Sequence, residues 1–182
     1  MNNKEIHVLE NGMVEEIVKV YDLFNDENYM PHLEIVQKKH IVHSSGDDLI
    51  YNTIESLCSI TDIRKYHREA CYLSTYDYDN CLIGLFPVCM AGFAESRICK
   101  RVVVSFLLLS GAFSFAVFHN HPVDSRIPSI GDKQTSRLYG ELSRMLEIRY
   151  LGSYIITMNG WADVDTGEDH RFEGDDSSDA EQ

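Results

Sequence analysis

The chain has 182 residues, 44% of them hydrophobic, and a formal net charge of −13 at pH 7. This length and composition suit one globular domain with appendages, because typical domains hold roughly 100–200 residues. No apolar run approaches the roughly 18 residues of a membrane span, and the N-terminal sequence MNNKEIHVLENG lacks the basic and apolar regions of a secretory leader. We therefore expect a cytoplasmic protein without a membrane segment.

The negative charge is concentrated at the C-terminal end of the chain. Nine acids and one arginine lie between Asp163 and Gln182, so this segment carries −8 of the total charge of −13. Its acidic, serine-containing composition predicts a disordered tail over residues 163–182. The acidic balance of the whole chain also argues against direct binding of nucleic acid, whose affinity depends on Lys and Arg side chains that neutralise phosphates.

Five cysteines are spread along the chain without any CxxC pair: Cys58, Cys71, Cys81, Cys89 and Cys99. An odd number of widely spaced cysteines is typical of reduced thiols and not of a disulfide framework or a zinc ribbon. We therefore expect free, mostly buried cysteine side chains.

Residues 1–40 are predicted to form an N-terminal extension with one helix. Apolar side chains repeat there at spacings of three and four, the period of an amphipathic helix, at Met13, Ile17, Val20, Tyr21 and Phe24. Gly12 precedes this pattern and the polar residues 25–28 follow it, as expected at helix ends. A short strand over residues 33–36 and a link over residues 38–43 complete the predicted extension.

Residues 41–162 alternate between helix and strand patterns and predict one domain. The predicted helices lie at about residues 44–58, 96–110 and 129–147, and the predicted strands at about residues 68–75, 81–90, 113–118 and 152–158. This order describes an α/β fold in which helices pack on one mixed β-sheet.

A candidate site lies at His119-Asn120-His121-Pro122, where the apolar run of the strand over residues 113–118 ends. Residues i and i+2 of an extended segment point to the same side, so His119 and His121 can reach one metal ion. Asp132 follows after a loop and can supply a third ligand, which leaves a hydrolytic zinc ion one open position. The alternative is an ordinary pair of exposed or hydrogen-bonded histidines at a strand end.

Ser129 and Asp132 also permit a second interpretation. Ser129-x-x-Asp132 in front of an amphipathic helix is the pattern of a capping box. The letters HNH do not indicate an HNH nuclease, whose ligands are dispersed along a hairpin and a helix. The full order His-x-His-Pro, then Ser, then Asp is much rarer by chance than its parts, and it favours a metal site.

This order of residues resembles the JAMM signature of JAB/MPN metalloprotease domains, and most closely the RadC-like branch. The resemblance depends on His119-Asn120-His121-Pro122, Pro128-Ser129, Asp132, Thr135 and Leu146-Glu147-Ile148 before the last strand. The resemblance runs from about Ile41 to Met158. Two departures lie within it: Val123-Asp124 stand where RadC-like chains usually have Ser-Gly, and Glu147 stands where they usually have Gly.

The resemblance implies an α-β-α fold of the cytidine-deaminase-like type and a zinc metallohydrolase that cleaves a peptide or isopeptide bond with a zinc-activated water. It implies zinc ligands at His119, His121 and Asp132. It further implies oxyanion stabilisation by Ser129 and a general base at Glu69, with Glu55 and Glu95 as the other candidates for the base. The implied substrate is a protein or peptide, and ubiquitin-like conjugates are one candidate class.

Two other functions remain compatible with the same resemblance. One is a non-catalytic JAB scaffold that acts through protein contacts, as some MPN domains without ligands do. The other is an accessory protein of DNA repair or of mobile elements, a role suggested by the historical label of RadC-like proteins. The filled ligand positions favour the enzyme over the scaffold, and the acidic charge argues against direct DNA binding.

Overall fold

The computed structural model describes residues 6–9, 13–44, 48–90 and 99–172. The described strands are β1 (Ile6–Val8), β2 (Met13–Asn25), β3 (Pro31–Ser44), β4 (Ala70–Tyr76), β5 (Leu82–Met90), β6 (Ser114–Asn120), β7 (Arg149–Ile156), β8 (Gly160–Asp163) and β9 (Asp169–Arg171). The helices are α1 (Leu49–Thr61), α2 (Lys100–Ser110) and α3 (Ile130–Leu146), with a 3-10 helix at Ile63–Lys65.

The strands form one mixed sheet in the order β1-β2-β5-β4-β6-β7-β8-β9, and β3 pairs with β2. β6 and β7 are parallel, as are β2 and β5, whereas the other described pairs are antiparallel. β6 lies between β4 and β7, which explains why its residues form a nearly continuous apolar run. The predicted α/β class with one mixed sheet is confirmed.

Helices cover both faces of this sheet. On one face, α1 packs Ile54, Leu57 and Ile60 against a cluster that includes Phe118 of β6. On the other face, α2 and α3 cover a cluster that includes Phe106, Tyr139, Phe115 and Val117. Alternate residues of β6 therefore enter different clusters, as the period of a strand requires. In the described ranges, none of the helices has the length and apolar composition needed to cross a membrane.

The predicted elements of residues 41–162 are present with shifted ends. The helix predicted over residues 44–58 is α1, which begins only after Asp48, whose side chain accepts hydrogen bonds from the N–H groups of Ile50 and Tyr51. The helix predicted over residues 96–110 is α2, and residues 96–98 lie outside the described residues. Gly111, with φ of 65°, ends α2 in the left-handed region that glycine adopts without strain.

The N-terminal helix predicted within residues 1–40 is wrong. Met13–Asn25 is strand β2, and it pairs with Pro31–Ser44 along its whole length. β3 also replaces the predicted short strand and the link that followed it. The apolar spacing fitted a helix, but the residues are mainly β-branched or aromatic, and Val18 and Val20 alternate into the core as a strand requires.

This two-stranded segment is packed onto the rest of the sheet. The ring of Tyr21 on β2 stacks on Phe86 of β5, with centroids 5.3 Å apart. The same ring crosses Gly84 so closely that a Cβ atom at Gly84 would lie 2.5 Å from it. The close approach explains the glycine in the middle of β5. The domain boundary near residue 40 stays a prediction.

The disorder predicted for the acidic tail is wrong for its first part. β9 pairs with β8, and the ring of His170 stacks on Trp161 with centroids 4.0 Å apart. Val164, in the turn that follows β8, is buried. The first part of the predicted tail therefore completes a hairpin of β8 and β9, which strand pairing and the contact of His170 with Trp161 stabilise. Residues 173–182 lie outside the described residues, so the prediction for them is not tested.

The five cysteines are free, as predicted, but they are not mostly buried. Cys71 is buried and Cys99 is exposed, while Cys58, Cys81 and Cys89 are half-buried. The prediction of mostly buried thiols is wrong: Cys81 lies just before β5 and Cys99 just before α2, at positions that the core does not cover.

Candidate metal centre

β6 brings two imidazoles to the same side of the sheet. His119 lies on β6 opposite Cys71 of β4 and Ile155 of β7. Just beyond the strand, the His121 N–H donates to the Ile156 carbonyl over 3.0 Å, which continues the strand-like path. The Nε2 atoms of His119 and His121 lie 3.2 Å apart, as expected for positions i and i+2 of an extended segment.

The first turn of α3 brings a carboxylate to the same point. Ser129 is the N-cap: its Oγ accepts from the Asp132 N–H over 3.1 Å, and the Asp132 carboxylate accepts from the Ser129 N–H over 2.7 Å. Asp132 Oδ1 lies 3.2 Å from His119 Nε2, and Oδ2 lies 3.5 Å from His121 Nε2. The capping box is therefore present, and it orients the carboxylate that faces the imidazoles.

A hydrogen bond from the loop orients His121. Its Nδ1 lies 2.7 Å from the Ser125 carbonyl oxygen, which can only accept, so Nδ1 carries the proton. In the neutral ring this leaves the lone pair on Nε2, the atom that faces Asp132. Metal-binding histidines are commonly oriented in this way by a carbonyl oxygen on the second nitrogen.

Two contacts connect the same loop to the region of β8 and β9, one through Asp124 of the loop and one through Asp169 of β9. Asp124 accepts from Asn159 Nδ2 over 2.6 Å and from the Asn159 N–H over 3.3 Å. Arg126 forms a two-pronged ion pair with Asp169, with 3.2 Å between Nη2 and Oδ2. Asp124 has φ of 53°, in the left-handed region that Asp tolerates better than most residues. The departure from the RadC-like pattern at Asp124 thus provides an anchor for the loop.

The protonation of the cluster follows from its contacts. Burial alone would raise the pKa of Asp132, but hydrogen bonds from His119, His121 and Ser129 outweigh it and hold this pKa well below its usual range. The hydrogen bond to Asp132 raises the pKa of His121 above 6.5, although burial of the ring lowers it. At neutral pH Asp132 is therefore a carboxylate anion, which can serve as a metal ligand.

These three side chains fit a divalent metal ion. One ligand atom from each of His119, His121 and Asp132 lies within 4.8 Å of the others. Two imidazole nitrogens and one carboxylate oxygen are a donor set that zinc accepts in hydrolytic sites, where a fourth position stays open. The structure brings the predicted ligands together, and the identity of the ion stays a prediction.

The cluster opens into a cleft of ≈ 470 Å³ that Glu69 and Ser129 also line. Glu69 immediately precedes β4 and is exposed. It lies two residues before Cys71, the partner of His119 across the sheet, so these side chains are on the same face. Glu55 lies instead on α1, which covers the opposite face, and it accepts a hydrogen bond from the Tyr51 hydroxyl over 2.9 Å. Glu95 lies outside the described residues.

The cleft also contains side chains that were not predicted to belong to it. Cys71 and Cys89 are partners across β4 and β5, and both line the cleft together with Tyr139 of α3. Burial raises the pKa of the Cys71 thiol, so this thiol stays protonated at neutral pH. The sequence signal for these residues was only their position on predicted strands, which does not identify a cleft.

Asn120, between the two histidines, was predicted only as part of a motif. Its side chain is 1% exposed and points to the face covered by α1. Its Oδ1 accepts from the Ala70 N–H over 2.7 Å, and its Nδ2 donates to the carbonyls of Tyr66 over 3.2 Å and Arg68 over 3.1 Å. The alternation of the strand could have indicated a buried asparagine, but it could not indicate these partners.

Comparisons with known proteins agree with this architecture. Residues 43–166 match the family described as the RadC-like JAB domain. A UPF0758 protein of Actinobacillus succinogenes is 26% identical over 96 residues, which are 53% of this chain and 44% of that protein. UPF0758 proteins of two Histophilus somni strains are 25% identical over 96 residues, which are 43% of their length. The chain thus matches less than half of the length of these relatives.

Proposed function

Since the chain belongs to the RadC-like JAB domain family, we propose that it is a zinc-dependent metallohydrolase of JAMM type that cleaves a peptide or isopeptide bond. The observation that carries the proposal is the cluster of His119, His121 and Asp132, whose ligand atoms lie within 4.8 Å of one another in the lining of a cleft. Glu69, which immediately precedes β4, lines the same cleft.

In this proposal the ligands are His119, His121 and Asp132. When bound there, a zinc ion supplies a Lewis acid that polarises a carbonyl oxygen and lowers the pKa of water towards about 7. Glu69 takes the proton of the attacking water and returns it to the leaving amine. Its exposed position in the lining of the cleft suits this task, because water and substrate can both reach it.

Ser129 acts as a donor to the developing oxyanion. Its Oγ accepts the Asp132 N–H, and its hydroxyl hydrogen can turn from the Asp132 carboxylate towards a substrate oxygen. The hydroxyl lies at the N-terminus of α3, where the helix dipole favours negative charge. Capping and oxyanion stabilisation therefore use different atoms of one hydroxyl group.

The proposed substrate is a protein or peptide, with ubiquitin-like conjugates as one candidate class. Three apolar residues around the cleft support a polypeptide: Val123 is 82% exposed, Ile127 is 79% exposed and Ile130 is 78% exposed. Val123 and Ile127 line the cleft itself. Apolar side chains next to a metal site suit the side chains that flank a scissile amide. A cytoplasmic location stays a prediction.

The second candidate is a non-catalytic JAB scaffold. Such a domain needs neither metal donors nor a carboxylate in the cleft, so the complete set of His119, His121, Asp132 and Glu69 supports the enzyme. The accessory role in DNA repair or in mobile elements has no supporting observation in the site. The net charge of −13 argues against direct contact with a phosphate backbone.

The test combines metal content with hydrolysis. Purified protein should contain about one zinc per chain by elemental analysis, as expected for one three-donor site. Pools of internally quenched peptides and ubiquitin-like conjugates should then be cleaved by the zinc-loaded protein and not after removal of the metal by a chelator. Zinc at one per chain without cleavage of any pool would favour the scaffold, and no zinc uptake would contradict the metal site.

A further inference from the structure

We infer that Asn120 is a positioning residue that holds Glu69 in the cleft from the opposite face of the sheet; this inference rests on the proposed function. Asn120 lies between the two predicted ligands, yet its side chain points away from them because alternate residues of a strand face opposite sides. It therefore acts through the backbone of the neighbouring chain and not by contact with metal or substrate.

Three hydrogen bonds of the Asn120 amide go to one short segment, residues 66–70. Oδ1 accepts the Ala70 N–H over 2.7 Å, and the two hydrogens of Nδ2 reach the carbonyls of Tyr66 over 3.2 Å and Arg68 over 3.1 Å. A reversed amide would set NH₂ against an N–H group and oxygen against two carbonyls, so only one orientation fits. The segment from Tyr66 to Ala70 is thus fixed at three backbone atoms.

Glu69 lies inside this clamped segment, between the carbonyl of Arg68 and the N–H of Ala70. The segment links the 3-10 helix to β4 and has no ladder partner of its own before Ala70 in the described strand pairs. Without Asn120, the hydrogen bonds to the Arg68 carbonyl and the Ala70 N–H, on either side of Glu69, would be lost. The clamp therefore decides where the Glu69 carboxylate enters the cleft.

The three hydrogen bonds of Asn120 to residues 66–70, which together form the clamp, are difficult to replace because Asn120 is buried. Asn120 is 1% exposed, so water cannot replace a lost partner without opening the sheet between β4 and β6. A buried amide with three partners on one segment specifies a single backbone arrangement. The ligand motif thus carries a second function: the residues on either side of Asn120 bind metal, and Asn120 sets the distance to the base.

The test compares Asn120→Ala and Asn120→Asp with Ser74→Ala. Ser74 is buried in β4 and hydrogen-bonds to the Tyr76 hydroxyl, away from the cleft, so it controls for a general loss of buried polar contacts. Both Asn120 variants should keep about one zinc per chain, while the Tyr66–Ala70 amides exchange faster with solvent. In crystal structures the Glu69 carboxylate should lie about 1 Å or more from its original place, a displacement that can cost on the order of 10²-fold in rate.

A double-variant cycle separates positioning from simple destabilisation. With the quenched peptide pools and enzyme in excess, Asn120→Ala should lower the rate about 10²-fold alone but leave it unchanged when Glu69→Gln is already present. An equal loss in both backgrounds, or Glu69 unmoved in the variant structures, would overturn the inference. If Asn120→Ala does not fold, the near-isosteric Asn120→Asp carries the same comparison.

The two proposals fail in different ways. If zinc-loaded protein cleaves no probe, the proposed function fails, while amide exchange and the position of Glu69 still decide whether Asn120 is a clamp. If the protein cleaves the pools and the Asn120 variants keep the full rate, the clamp has no role in positioning and the proposed function stands.

Discussion

The two sides of the cleft are held by different kinds of contact. On one side, His119, His121 and Asp132 contact one another through their own side chains, within 3.2 to 3.5 Å. On the other side, Glu69 is exposed and its position comes from backbone bonds to Asn120. The ligand side, formed by His119, His121 and Asp132, is therefore held by contacts between its own side chains. The base side, formed by Glu69, is held by hydrogen bonds between the Asn120 amide and the backbone next to Glu69.

This difference predicts that the two sides respond differently to substitution. Loss of a ligand-side residue should remove the metal, because each side chain there is itself a donor. Loss of a base-side residue should leave the metal in place and remove only proton transfer. Metal content and hydrolytic rate should therefore separate cleanly between variants of the two sides.

The largest expected effect is on the ligand side. Asp132→Ala should lose most of its zinc and all measurable hydrolysis, because two imidazoles alone are a poor site and the anionic donor is gone. Elemental analysis after gel filtration measures the zinc. Glu141→Ala is the matched control, since Glu141 is an exposed acid further along α3. Undiminished zinc in the Asp132 variant would contradict the ligand assignment.

The next effect is on the base side. Glu69→Gln should keep about one zinc per chain and lose roughly 10²- to 10⁴-fold in the rate of hydrolysis, the usual contribution of a general base. Glu55→Gln and Glu95→Gln are the controls, because these acids were the other candidates for the base. A full rate in the Glu69 variant, or a matching loss in either control, would move the role to another residue.

Ser129 has two roles to separate, capping of α3 and the proposed stabilisation of the oxyanion. Its substitution should have a smaller effect on the rate of hydrolysis. Ser129→Gly removes the hydroxyl at little cost to the helix, because glycine is a tolerated N-cap, and it should lower the rate about 10²-fold. Ser129→Ala should show the same loss of rate and also lower stability by about 1 kcal/mol. Ser129→Thr should keep both properties. Rates together with thermal denaturation separate capping from catalysis, and an unchanged rate in the glycine variant would exclude the oxyanion role.

The smallest effect is on the pH dependence of stability after treatment with a chelator. The pKa of His121 is raised above 6.5 by Asp132, so the stabilisation from this contact is complete below that pH and is lost as pH rises through the raised value. The Tm of the chelated protein should fall by a few degrees between about pH 6 and about pH 9. Asp132→Asn should remove the trend. With saturating zinc the trend should reverse, because protons compete with the metal for His121.

Local patterns explain why the ligand side could be predicted from sequence. The spacing of His119 and His121 fixes their common side once the segment is extended, and Ser129 with Asp132 fixes the carboxylate once α3 begins. These relations depend on one strand and one helix end. They therefore survive errors in the rest of the chain.

Contacts between distant strands explain what the sequence did not predict. The spacing of Met13, Ile17 and Phe24 fits a helix, whereas pairing with β3 along the whole segment makes it a strand. The sequence predicts that Asp169 and His170 lie in a disordered tail, but both pair with β8, and Asp169 forms an ion pair with Arg126 of the loop between β6 and α3. Likewise, the residues next to Asn120 in the sequence do not indicate that its side chain hydrogen-bonds to the backbone of Tyr66 and Ala70.

The separation of Ala70 and Asn120 by 50 residues has a consequence for the order of folding. The ligand side lies within one strand-loop-helix unit, and the entropy of closing a loop rises with its length, by roughly 0.6 kcal/mol for each doubling. Local contacts of this kind form faster than pairings between remote strands. During synthesis and refolding, His119, His121 and Asp132 should therefore come together before β4 docks, so the proposed metal site should form before Glu69 reaches the cleft.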